Sequence, residues 1–202
     1  MHLKKRQDLA IRACDMSMIL ETDRLILRRW TEDDASVLFK YAKDKRVGPA
    51  AGWPVHESEK YSLAIIRTVL SKDEVYAICF KGGNNEPIGS IGLTFSDGSN
   101  NATKDNEAEL GYWVGYPFWS NGIATEAAEE MIRHGFSDIG LEKIYCAYFF
   151  GNEQSKRVQE KLGFKLSHVN KRCEVKLLGE VRCELVNVLT KLDWELTKNT
   201  KL

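Results

Sequence analysis

No stretch of this chain stays apolar for anything near the ~18 residues that cross a bilayer, which excludes a membrane span. Cysteine is scarce: five residues, at 14, 79, 146, 173 and 183, an odd count with no CxxC spacing. That pattern excludes a zinc knuckle and a disulfide framework and points to a reducing, cytoplasmic setting. Cys79 and Cys146 lie inside apolar runs and read as small buried hydrophobes. Excess charge is also lacking. Lys plus Arg number 29 and Asp plus Glu 29, so the chain as a whole gives no electrostatic case for nucleic acid or an anionic membrane, while small ligands and local charge patches stay open. The opening MHLKKRQDLAIRACDMSM is basic but has no apolar signal core, and residues 1–18 are expected to be a loose extension. The chain shows no internal repeat, low-complexity segment or linker, and its 202 residues suit one domain, expected over 19–197.

What is present is a mixed α/β pattern. RLILRRW, Arg24 to Trp30, alternates like a half-buried strand. Thr31 stands three residues before Asp34 and predicts a capped helix through TEDDASVLFKYAKDK. VGPAAGWPVHES reads as a loop, and Glu57 to Ser71 as an amphipathic helix. EVYAICF and IGSIGLTF form a hairpin around GGNNEP. SDGSNNATKDN reads as a polar loop without core residues. EAELGYWV, Glu107 to Val114, is a fourth strand, and a helix follows from about Ser120 to Ser137. EKIYCAYF is a fifth strand. A helix over about Asn152 to Leu162 closes at Gly163, and the chain ends in a hairpin around Gly179. The fourth and fifth strands, joined across a helix, are expected to run parallel.

The turn WSNGIAT opens the long helix. A first helical turn leaves backbone N–H groups without intrahelical partners and adds partial positive charge, a cradle for phosphate when no side chain blocks it. Gly122 and Ala124 keep that side small, so Ser120, Asn121, Gly122, Ile123, Ala124 and Thr125 are candidates for holding a diphosphate. The opposing reading is tight packing of the helix on its sheet. The dinucleotide fingerprint G-x-G-x-x-G and the P-loop are both missing, which argues against an oxidoreductase or a nucleoside triphosphatase.

The run Trp119-Ser120-Asn121-Gly122-Ile123-Ala124 resembles the pyrophosphate loop of the GNAT acyltransferase superfamily, [QR]-x-x-G-x-[GA], with Trp119 at the first position. That replacement, with ELGYWV before and ATEA after, resembles the branch of ribosomal-protein alanine and serine N-acetyltransferases. Asn152, Ser155, Val158, Lys161, Gly163 and Phe164 match its N-x-x-S block; ETDRLILRRWTEDDA resembles its opening and AGWPVHES the loop before its second helix.

The resemblance implies a twisted, largely antiparallel sheet with its fourth and fifth strands splayed around acetyl-CoA and helices on both faces. It implies direct acetyl transfer to a primary amine, a protein N-terminus first, an aminoglycoside, polyamine or amino acid next. A non-catalytic acyl-CoA binder is the rival. Glu109 is then the base, with Glu107 merely solvated, and Ser155 the donor to the leaving thiolate. The backbone of Tyr112 and Val114 would pair with pantetheine beside a bulge after Trp113. Asn152 would contact the same arm, Lys156 the 3′-phosphate, Trp119 the loop's ligand, and Trp53 and His56 the acceptor. Cys183 and Asn187 stand where the branch has Asp and Tyr in its final hairpin. Exposed sheet edges of this kind often pair, so a homodimer is one of two expected states.

Overall fold

The computed structural model describes residues 19–199; the expected extension at 1–18 lies outside them. The strands are β1 (Leu20–Glu21), β2 (Leu25–Arg28), β3 (Val75–Phe80), β4 (Pro87–Phe95), β5 (Glu107–Val114), β6 (Lys143–Phe149), β7 (Lys165–Val175) and β8 (Glu180–Thr190). The helices are α1 (Ala35–Ala42), α2 (Gly48–Ala51), α3 (Glu59–Ile65), α4 (Ile123–Arg133), α5 (Glu153–Lys161) and α6 (Lys191–Asn199). Wider π turns extend α3 through Ile66–Leu70 and α4 through His134–Ile139.

One eight-stranded sheet runs in the order β1-β2-β3-β4-β5-β6-β8-β7. Every neighbouring pair is antiparallel except β5–β6, whose crossover is α4. Alternation in β3 divides the interior in two. Tyr76 and Ile78 join Leu25, Leu27, Leu110 and the α4 face of Ile123, Ala127, Met131 and Ile132. Ala77 and Cys79 face Trp30, Leu38 and Ala42 and the α3 side residues Ile66 and Leu70. Helices therefore cover both faces.

The site lies where the parallel pair parts. β5 and β6 pair only from Glu107↔Lys143 to Glu109↔Tyr145. Beyond that, β5 stays on β4 as far as Val114↔Gly89, while β6 stays on β8 as far as Phe149↔Glu184. The expected bulge after Trp113 is absent: the β4–β5 register is continuous, and the strands part because each follows its other neighbour. β4 does carry a register shift, opposite Ile78 and Cys79 of β3.

Three further differences have local causes. The expected loop at VGPAAGW contains α2, started by Pro49 and stopped by Gly52 at φ +89°. The loop before β5 has a core residue after all, since Ala102 is fully buried. Past the final hairpin the chain forms α6, which was not expected. Asp193 N donates to Thr190 Oγ1 at 3.1 Å and Thr190 Oγ1 donates back to Asp193 Oδ2 at 2.7 Å, a cap that secures the turn. Trp194 then packs on Phe136 at 5.3 Å between ring centroids.

Candidate active site

The cleft between the parted strands has a volume of about 500 Å³. One end is the N-terminus of α4. Ser120 and Gly122 both adopt left-handed backbone, φ +63° and +77°, which brings the chain sharply into the helix. No side chain caps that end, and the first intrahelical bond runs from Glu126 N to Gly122 O. The amides of Ile123, Ala124 and Thr125 thus face a lining with no competing acceptor from the cap. A Cβ on Gly122 would meet only Arg24 Nη2, at 3.5 Å, so the glycine answers to its φ and not to close packing on the sheet. Arg24 secures the turn: it donates to Asn121 O at 3.2 Å and pairs with Glu126 at 2.6 Å. That pair neutralises the carboxylate nearest the helix end.

The sequence candidates divide by position. Glu109, Tyr112, Val114, Trp119, Ser120, Gly122, Ile123, Ala124, Thr125, Asn152 and Ser155 all line the cleft. Asn121 does not; its carbonyl is bound by Arg24. Trp119 lines it, but its indole N–H donates to Val114 O at 2.7 Å. Tryptophan here ties the loop to the end of β5, and it occupies one lone pair of a carbonyl expected to meet pantetheine. Lys156 faces away, alongside Glu153 and Glu160 at 3.7 and 4.0 Å. The cleft face of α5 carries Gln154, Arg157, Val158 and Lys161, the i, i+3, i+4, i+7 row, so its cations are Arg157 and Lys161.

Trp53 and His56 are not among the lining residues. Trp53 packs edge-on against Trp113 at 5.8 Å. His56 is buried, its Nδ1 is 2.8 Å from Ser62 Oγ, and burial pushes its pKa down to about 4. A neutral core imidazole on this side explains the residue without a role in the cleft.

At the far end stands Glu109. Ser99 accepts the backbone amides of Asn101 and Ala102, at 3.0 and 2.9 Å, and donates its own proton to Glu109 Oε2. The polar loop therefore aims this carboxylate. Glu107 is buried and not solvated: it accepts from Thr103 N at 3.2 Å and lies 3.7 Å from Lys143 Nζ. A second cleft carboxylate, Glu184 on β8, escaped the sequence reading. Burial and the neighbouring charge of Glu109 push its pKa up. The signal in the sequence is a lone acid entering the apolar run LVNVL, between Cys183 and Asn187.

Between the ends, Tyr112 Oη lies 3.0 Å from Ser155 Oγ. Ser155 N also donates to Asn152 Oδ1 at 3.1 Å, and Asn152 Nδ2 reaches Ala50 O at 3.3 Å, tying α5 to α2. Burial pushes the Tyr112 hydroxyl strongly up, so it stays a neutral donor. Burial does the same to the Cys146 thiol, with Glu109 adding to it, which leaves a poor nucleophile. Among the described residues no three His, Cys, Asp or Glu gather to hold a metal, and no helix is long and apolar enough to cross a membrane.

Known proteins agree with this arrangement. The family model described as an acetyltransferase (GNAT) domain matches residues 24–165. The uncharacterised N-acetyltransferase YoaA of Bacillus subtilis is 34% identical over 154 residues, covering 74% of this chain and 84% of its own. A GNAT-family acetyltransferase structure from Bacillus anthracis superposes with a TM-score of 0.75 at 20% identity, over 87% of this chain and 99% of that one. RimJ of Mycobacterium smegmatis, solved in complex with CoA-disulfide, superposes with a TM-score of 0.67 at 22% identity, over 86% of each chain. The solved structures bear on the fold, and the family model and YoaA bear on the kind of enzyme: the chain belongs to the GNAT family of N-acetyltransferases.

Proposed function

We propose that this chain binds acetyl-CoA with its diphosphate on the amides of Ile123, Ala124 and Thr125, and transfers the acetyl group directly to a primary amine, first of all a protein N-terminal amine. The observation that carries the reading is the parting of β5 from β6. It joins an uncapped helix end, a serine–tyrosine hydroxyl pair and two carboxylates in one cleft. Arg157 and Lys161 would face the outer phosphates, and the open edge of β5 beyond Glu109 would pair with the pantetheine arm.

Glu109 takes the proton that the amine must lose, either directly or through a water. The amine nitrogen bonds to the acetyl carbon, the carbon–sulfur bond breaks, and CoA leaves as a thiolate. Ser155, hydrogen-bonded to Tyr112, donates to that sulfur as charge develops there. No acetyl-enzyme is needed, and the buried, protonated Cys146 suits that. Cys79, Cys146, Cys173 and Cys183 are all free thiols, in keeping with a reducing cytoplasmic location.

One observation favours a second acceptor class. Glu184 gives the cleft two acids, which suits a small polycationic amine. Its rival, a binder without turnover, would bind acetyl-CoA and acetylate neither class.

Calorimetric titration with acetyl-CoA tests the cradle. The wild type is expected to bind, and Gly122→Ala to bind about tenfold more weakly, because an L side chain in left-handed backbone costs about 1–2 kcal/mol and the loop would relax away from φ +77°. An equal affinity in the variant would remove the loop from the diphosphate site. No binding by the wild type would sink the proposal. Mass spectrometry on alanine- and serine-initiated peptides beside spermidine then separates the acceptor classes.

A further inference from the structure

α5 turns a fully buried amide toward the reactive hydroxyls. Gln159 is 0% exposed, and its neighbours settle which way its amide points. Gln159 Nε2 lies 3.4 Å from the Ala147 carbonyl, which can only accept, so this end of the amide is the nitrogen. At the other end Asn187 Nδ2 donates to Gln159 Oε1 at 2.9 Å. Asn187 is itself buried, and it comes from β8, so two elements hold one orientation. The same Nε2 is 3.2 Å from Ser155 Oγ. An amide nitrogen offers only donors, so Ser155 Oγ must accept from it.

The consequence is a proton count. Ser155 and Tyr112 together carry two hydroxyl protons, and their oxygens lie 3.0 Å apart. One proton bridges the two oxygens. With Gln159 donating, the other is spare. It rests on the Ser155 carbonyl, 3.4 Å from Tyr112 Oη, or turns into the cleft from Ser155. With the amide reversed, its oxygen would take the serine proton while Tyr112 donates to Oγ, and nothing would remain for the cleft.

We propose that Gln159, oriented by Asn187 and the Ala147 carbonyl, is a positioning residue that holds Ser155 Oγ as an acceptor and so leaves the Ser155–Tyr112 pair one proton to offer the leaving thiolate. This rests on the assignment of Ser155 to the thiolate. It also gives a purpose to Asn187, which stands where the resembled pattern has tyrosine: it fixes an amide from inside the core.

The test reads the thiolate without any acceptor. CoA itself is bound, and the fraction present as thiolate is measured by ultraviolet absorbance at one fixed, near-neutral pH. The wild type is expected to hold about ten times more thiolate than free CoA, because hydrogen bonds to the charged form favour it. Ser155→Ala should return to the free-CoA value. Gln159→Glu, whose carboxyl oxygen accepts the serine proton, should do the same, and so should Asn187→Asp, whose carboxylate accepts from the Gln159 nitrogen and turns the amide round. CoA affinity by calorimetry should stay within about twofold, a split that general loosening of the fold would not produce. Thermal unfolding is checked first; should Gln159→Glu not fold, Asn187→Asp turns the same amide from the β8 side and carries the test. Wild-type thiolate in the Gln159 and Asn187→Asp variants, with loss in Ser155→Ala, overturns this inference alone. Wild-type thiolate in Ser155→Ala, or no excess thiolate on the wild type, overturns the assignment of Ser155 with it.

Discussion

Glu109→Gln is expected to lower kcat by about 10²–10⁴, the usual contribution of a positioned general base. The change is close to isosteric. Ser99, whose hydroxyl is aimed by the amides of Asn101 and Ala102, can donate to an amide oxygen as it does to the carboxylate. The loop should therefore stay in place, and the end proposed for the diphosphate belongs to a different element, α4. Acetyl-CoA affinity should remain at the wild-type value while turnover falls. Steady-state rates with a free-amine peptide or small amine that the wild type acetylates, set beside calorimetry, read the two quantities separately. Unchanged turnover would remove Glu109 from the chemistry and move the role to Glu184, the other cleft carboxylate, whose pKa burial and the charge of Glu109 raise. A loss of acetyl-CoA binding would instead mean that Glu109 supports the cleft wall.

The fold was legible where local pattern and tertiary contact agree. Thr31 and Asp34 announce a helix start, and the structure shows the reciprocal capping contacts. The left-handed Gly122 and the uncapped helix behind it lie in the run whose small residues suggested a phosphate cradle. Legibility ended where the direction of a side chain is set by a distant strand. Lys156 and Arg157 are neighbours in sequence, yet the helical period sends only Arg157 to the cleft. Trp53 and His56 belong to a suggestive loop, but packing on Trp113 and Ser62 takes them inward. Glu184 and the Asn187–Gln159 contact depend on β8 lying beside β6, a pairing between residues far apart in the chain. α6 has a readable cap at Thr190 and Asp193, but Thr190 is also the last residue of β8, so the apolar alternation of the strand runs straight into the helix start and masks it.

Asp34→Ala is expected to cost about 3–5 kcal/mol, the range for breaking a buried ion pair by removing one partner. Asp34 is 9% exposed and Arg28 14% in their side chains, so water replaces little of what is lost. Arg28 donates twice to Asp34, at 2.8 and 2.7 Å, and Asp34 also accepts from Thr31 N and Oγ1 at 2.9 and 3.0 Å. The same pair predicts acid sensitivity. Burial alone would raise the Asp34 pKa; the Arg28 and Thr31 hydrogen bonds outweigh it and hold the pKa below its usual value. A carboxylate depressed in the folded state contributes fully above its unfolded pKa, about 4. Its contribution then disappears as pH falls through the lower folded value. Urea midpoints from neutral pH downward should fall in the wild type and fall less steeply in Asp34→Asn; equal slopes would place the acid lability elsewhere. The effect should reach the cleft. Asp34 joins β2 to α1, and α1 leads to Val47, Ala50 and Ala51 on the cleft wall, while its Tyr41 packs on Phe118 at 5.6 Å. On the proposed reading, acetyl-CoA should still raise the midpoint of the destabilised variant, though by less than that of the wild type, because the proposed diphosphate end belongs to α4 and only the α1 side of the cleft wall feels the loss.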